Sequence, residues 1–190
     1  MSFAILETNP SLGSVVRRAR NDHGIVMLCS THDEGSNVGR AWPASLEETF
    51  AVTACDEYGT PYRAMMNDSF KYMIQGLNVA AGVIHFLDSA DRISGSSVAT
   101  AVAAGLSSLI LSCLRMANPD QKFEGARRYK MIERKLNEMR PKEPKDSKYV
   151  KLEKFGGIER RMSNGEPINA DVIIGDAFKV GADDSGEQEE

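Results

Sequence analysis

The chain has 190 residues, 42% of them apolar, and a formal net charge of −4. That length suits one domain with a sizeable core. The charge excludes a generally basic nucleic-acid binder, and no apolar run is expected to span a membrane, since the longest, Val98 to Leu114, is interrupted by Thr100, Gly105, Ser107, Ser108 and Ser112.

The start, MSFAILETNP, lacks a positive n-region and does not read as a signal peptide. Phe3 to Leu6 could end a strand. Asn9-Pro10 marks a helix start, because asparagine caps and proline suits the first helical position. Leu12, Val15, Val16 and Ala19 share one face of that helix, and Gly24 stops it. Gly24 to Ser30 is a continuous apolar run of strand length, as in a buried parallel strand. A polar loop, THDEGSNVG, follows. Thr49 to Asp56 reads as a second buried strand. Between Tyr62 and Gly76 the signals are mixed, and Leu77 to Leu87 suggests one or two short strands bent at Gly82. DSADRISGSS is a loop. Ser97 to Met116 is a buried helix ending near Asn118-Pro119.

This order implies an α/β fold with a mainly parallel sheet. Beyond Pro119 the character changes. Residues 115–161 carry 15 basic and 8 acidic side chains, whereas residues 162–190 carry 1 basic and 8 acidic. Interleaved acids and few aromatics argue against an RNA or DNA surface there. Phe123 to Met139 is an amphipathic helix. YVKLEKFGG fits a short strand or a helical turn, and Asn164-Gly165 is a turn that could join two strands in a hairpin. The end, residues 179–190, reads as a disordered acidic tail. The three cysteines, Cys29, Cys55 and Cys113, are odd in number, far apart and set in apolar runs, so buried free thiols are expected, with a lean towards an intracellular setting.

Gly95-Ser96-Ser97 at the mouth of the long apolar helix admits two readings. Serine is a common helix cap. A serine in the first turn also sits at the positive end of the helix dipole, where unpaired N–H groups can stabilise an anion, which suits an acyl-transfer nucleophile.

SGSSVATAVAAGLSSLIL resembles the serine motif of the subtilisin-like proteases, Gly-Thr-Ser-Met-Ala-Ser/Thr-Pro-His-Val-Ala-Gly. Gly95, Ser97, Ala99, Thr100, Ala104 and Gly105 fall in register, while Ala101 and Val102 depart at the proline and histidine. Further landmarks follow the family order. GIVMLCSTHDEG is similar to its strand and Ala-Gly-Asn-x-Gly loop. WPASLEETFAVTACDEYG resembles its Tyr-Pro-Ala and the strand ending in aspartate. Met1-Ser2-Phe3 looks like its Met-Ser-Leu-Gly strand end.

The resemblance covers roughly residues 1–116. It implies a partial three-layer subtilisin-like fold over residues 1–118, followed by a helical, irregular extension over 119–178. It implies Ser97 as catalytic nucleophile, Ser2 and Phe3 as substrate-binding residues, and Asp33 at the oxyanion-hole position, where the family has asparagine. An ionised aspartate cannot donate there. Either its pKa is strongly raised, or the loop differs and His32 supplies a donor, or the loop is a polar surface without catalytic duty. The family's aspartate and His-Gly-Thr motifs are absent; His23 and His85 do not sit where the base belongs. The expectation is therefore the C-terminal half of a serine endopeptidase domain, inactive alone, or a non-catalytic interaction domain derived from one. The implied partners are a peptide or protein substrate and a missing N-terminal half. No cofactor and no metal, calcium included, are expected, nor a nucleic-acid or membrane partner.

Overall fold

The computed structural model describes residues 1–3, 5, 7–33, 41–62, 70–80 and 92–180. Helix α1 (Pro10–Asn21) starts as its sequence dictates: Asn9 Oδ1 accepts from Leu12 N at 3.0 Å, and Pro10 opens the helix. Strand β1 is only Leu28–Ser30, shorter than the expected Gly24–Ser30. The missing turn is spent leaving α1, because Ile25 N still donates to Ala19 O and Gly24 adopts φ +59°.

Strand β2 (Phe50–Cys55) is buried at every position and is the centre of a parallel sheet ordered β1-β2-β3. Strand β3 (Tyr72–Gln75) lies within the stretch whose sequence signals were mixed. Its alternation is short and half polar: Tyr72 and Ile74 are buried while Met73 and Gln75 are half-buried. Only pairing with β2, with Val52 opposite Tyr72 and Ala54 opposite Ile74, makes it a strand. Strand β4 (Val79–Ala80) pairs antiparallel with β5 (Arg92–Ile93), which lies where a loop was expected. The rest of the 77–87 stretch, Gly82 and His85 included, lies outside the described residues.

Helix α2 (Ser96–Ala117) crosses one face of the sheet, joined there by α3 (Gly125–Glu138). Leu28, Phe50, Val52, Ala54, Tyr72 and Ile74 point into this layer and pack with Ala99, Ala103, Ile110, Leu114, Ile132 and Leu136. Each large apolar side chain buried here stabilises the fold by about 1.5–3 kcal/mol. The other face carries a smaller cluster around Cys29, Ala51 and Phe70. Contrary to expectation, α2 is long and apolar enough to cross a membrane by length and composition. Here its apolar stripe is laid against the sheet.

The segment after Pro119 shares this core. Val150, Ile173 and Phe178 belong to the same cluster as β2 and α2. A 3₁₀ helix (Leu152–Gly157), broken at Phe155 and Gly156, leads into α4 (Ile158–Asn164) and then α5 (Ala170–Ala177). The hairpin expected at Asn164-Gly165 is not formed. Gly165, at φ +66°, closes the C-terminus of α4 instead, since one left-handed residue serves a helix end as well as a tight β-turn. Of the tail expected at 179–190, Lys179 and Val180 are ordered: Val180 is buried and its N–H donates to Asn118 Oδ1 at 2.9 Å. Residues 181–190 lie outside the described residues.

All three cysteines are buried free thiols. Burial raises the pKa of Cys29 and of Cys113, and pushes Cys55 up to about 12, with the neighbouring Asp56 charge adding to the last shift. Thiolate is the reactive species, so Ellman's reagent at pH 8 is expected to modify none of the three within minutes in the native protein and all three in denaturant. Rapid native labelling of Cys29 or Cys55 would contradict this packing.

Candidate active site

The parallel strands deliver three chain segments to one edge. β1 runs into Thr31–Asp33, β2 into Asp56, and β3 into Gly76. Helix α2 starts above these carboxyl ends, the place where open α/β sheets hold their ligands. Gly95 leads into it with φ +142°, a conformation that favours glycine. Its N–H donates to Gly76 O at 2.9 Å, and Gly76 N donates to Cys55 O at 3.0 Å, so the helix mouth is tied to β2. Neither glycine can be enlarged freely. A Cβ on Gly95 would meet Asp33 Oδ2 at 2.9 Å, and one on Gly76 would meet Ala99 Cβ at 2.8 Å.

The two serines of the first turn part ways. Consecutive helical residues point about 100° apart, so the two side chains take different directions. Ser96 is 0% exposed. Its hydroxyl donates to Asp33 Oδ1 at 2.6 Å and accepts from Thr31 Oγ1 at 3.2 Å and Ala54 N at 3.4 Å, with Thr53 Oγ1 also at 3.4 Å. Ser97 is exposed, and its hydroxyl donates to Ser2 O at 3.4 Å. Ser2 reaches it because Met1 runs beside β1: the terminal amine donates to Leu28 O, and Met1 O accepts from Ser30 N at 3.0 Å. Phe3, next along, is 47% exposed.

Asp33 arrives at this helix mouth as an acceptor. Both of its carboxylate oxygens lie 3.1 Å from Ser96 N, in addition to the bond from the Ser96 hydroxyl. A negative group here satisfies an orphan N–H and sits favourably in the helix dipole. In this arrangement it offers no hydrogen to an oxyanion. His32 beside it is half-buried, and His23 is exposed beyond the end of α1. The structure thus brings Ser97, Asp33 and Ser2 together at the mouth of α2, with Phe3 following Ser2 along the chain. Sequence reasoning passed over Ser96, Thr31 and Thr53, the hydroxyls beneath the helix. The available signal was the doubled serine itself, since two neighbours about 100° apart on a helix point in different directions. Among the described residues no group of three or more His, Cys, Asp or Glu side chains could hold a metal ion.

Solved structures share this architecture. The prenylagaramide maturation protease PagA superposes with a TM-score of 0.61 at 21% identity, over 79% of this chain and 56% of its own. The PatG macrocyclase in complex with peptide gives 0.61 at 18%, over 79% and 47%. The self-cleaved protease domain of PatA gives 0.58 at 16%, over 87% and 60%. The fold is subtilisin-like. The match extends past the first 116 residues, so part of the segment after Pro119 belongs to the shared architecture. The chain spans about half the length of the solved structures it matches. No family model matches the sequence, and no curated protein matches it.

Proposed function

We propose that this chain is the C-terminal half of a subtilisin-type serine endopeptidase domain, carrying Ser97 as nucleophile and Ser2 and Phe3 as part of the peptide-binding wall. The observation that carries this reading is the exposed hydroxyl of Ser97 in the first turn of α2, above the carboxyl ends of β1 and β2, with the Ser2 carbonyl alongside. In the reaction, Ser97 Oγ would attack the scissile carbonyl and form an acyl-enzyme ester. Its proton would pass to a histidine and on to the leaving amine, and water would then hydrolyse the ester. That histidine and its orienting aspartate would come from a complementing half outside residues 1–190. Without them the chain is inactive alone.

A second reading, a non-catalytic interaction domain derived from such a protease, draws its support from Asp33. A carboxylate committed to Ser96 leaves the oxyanion position without its side-chain donor, a loss typically worth about 10²–10³ in rate. A fluorophosphonate probe tests the first reading. The isolated chain is expected to stay unlabelled, and strong labelling mapped to Ser97 in that chain would overturn its inactivity. An open reading frame upstream that encodes Asp-x-Gly and His-Gly-Thr motifs separates the two readings in favour of the first.

A further inference from the structure

Away from the helix mouth, the segment after Pro119 encloses a cavity of about 560 Å³ between α2, α3, the 3₁₀ helix, α4 and α5. That size lies in the range of ligand pockets. Its floor is apolar, with Ile110, Met139, Phe155 and Phe178. Its walls hold six cationic side chains against three carboxylates. The carboxylates are largely consumed: Asp176 pairs with Arg161 at 2.6 Å, Glu138 with Lys135 at 2.8 Å and Glu159 with Lys154 at 3.9 Å. Lys142 and Arg160 have no carboxylate within ion-pair distance among the described residues.

Two further donors are unpaired. Arg161, only 5% exposed, and Arg140 both line the cavity, and each keeps a buried Nε without a hydrogen-bond partner among the described residues. A buried N–H left unpaired is costly and calls for an acceptor. The chain itself carries acceptors at the right place. It passes Asp176, Ala177 and Phe178 on the cavity wall and reaches Val180, beyond which residues 181–190 read GADDSGEQEE, five carboxylates and no cation. Ten residues reach up to about 30 Å when extended, so the cavity is within easy range.

We propose that this basic cavity is the docking site of the acidic segment 181–190 of the same chain. The carboxylates meet Lys142 and Arg160, and the guanidinium groups of Arg140 and Arg161, each with its Nε buried, add positive charge to the same wall. The tether supplies a high effective concentration, so weak contacts suffice. The association is electrostatic and falls with salt. This inference is independent of the reading of Ser97.

Zero-length carbodiimide cross-linking of the full chain tests it, with an equal mixture of ¹⁴N- and ¹⁵N-labelled protein and mass mapping. The expected result is intramolecular cross-links from residues 181–190 concentrated on Lys142 and Lys154, reduced by roughly fivefold in Arg160→Glu and lost at 1 M salt. A tail variant carrying D183N, D184N, E187Q, E189Q and E190Q leaves the packed core untouched. In it, acetylation of Lys142 and Lys154 is expected to speed up several-fold while Lys122 stays constant. Cross-links spread evenly over the lysines, cross-links only between copies, or unchanged acetylation would each overturn the proposal.

Discussion

Phe50→Ala is expected to lower the unfolding free energy by about 3–5 kcal/mol, the usual range for emptying a buried aromatic site. Phe50 is 0% exposed at the start of the central strand. Its ring stacks on Tyr129 of α3 at 4.1 Å between centroids and 28° between planes. It also meets Tyr72 of β3 edge-on at 5.6 Å and 79°. One side chain therefore ties β2 to β3 and to the first helix after Pro119. Truncation loses the burial, both ring contacts and the filled volume together. The measurement is the urea unfolding midpoint, with the slope unchanged if only stability is altered. A loss below about 1.5 kcal/mol would mean that the segment after Pro119 does not share a cooperative core with the sheet.

Asp33→Ala is expected to cost about 2–4 kcal/mol, an effect set by the groups left behind rather than by the carboxylate itself. Removing it strips the acceptor from the Ser96 hydroxyl and the Ser96 N–H, both in a residue without solvent access. It also removes a negative charge from the positive end of α2, worth a further 0.3–1 kcal/mol or so. Asp33→Asn separates the two contributions. Its amide oxygen still accepts one of the two bonds, so a loss of about 1 kcal/mol is expected, and its N–H₂ restores a donor of the kind an oxyanion needs. Equal destabilisation by alanine and asparagine would mean that the charge, not the hydrogen bonds, holds the helix mouth. No destabilisation by either would remove Asp33 from its place beneath α2.

Several parts of this molecule were legible because their signals are local. The asparagine–proline pair starts α1, and the small and apolar run from Ser97 onward is a helix in any context that can bury it. The apolar stretch Phe50–Cys55 is a strand of the right length to be covered on both faces. Other elements were not legible because their identity depends on a distant partner. YMIQ has too short an alternation to declare itself, and β5 is two residues long. Asn164-Gly165 supplies the same left-handed backbone to a hairpin and to a helix end, so the choice fell to what the flanking segments could bury. Ile158–Asn164 and Ala170–Ala177 wind as helices against Phe155 and Phe178.

At the helix mouth the division is sharper. Taken alone, the sequence determined that a glycine and two hydroxyls open an apolar helix behind two buried strands, in an order that resembles the subtilisin-like serine motif. Which serine faces solvent, and whether Asp33 donates or accepts there, was decided only in three dimensions. Helical periodicity sets the angle between Ser96 and Ser97 but not its origin. That origin is set by the strand ends that present Thr31, Thr53 and the Ala54 N–H to one of them, and by a carboxylate that must satisfy the backbone it meets.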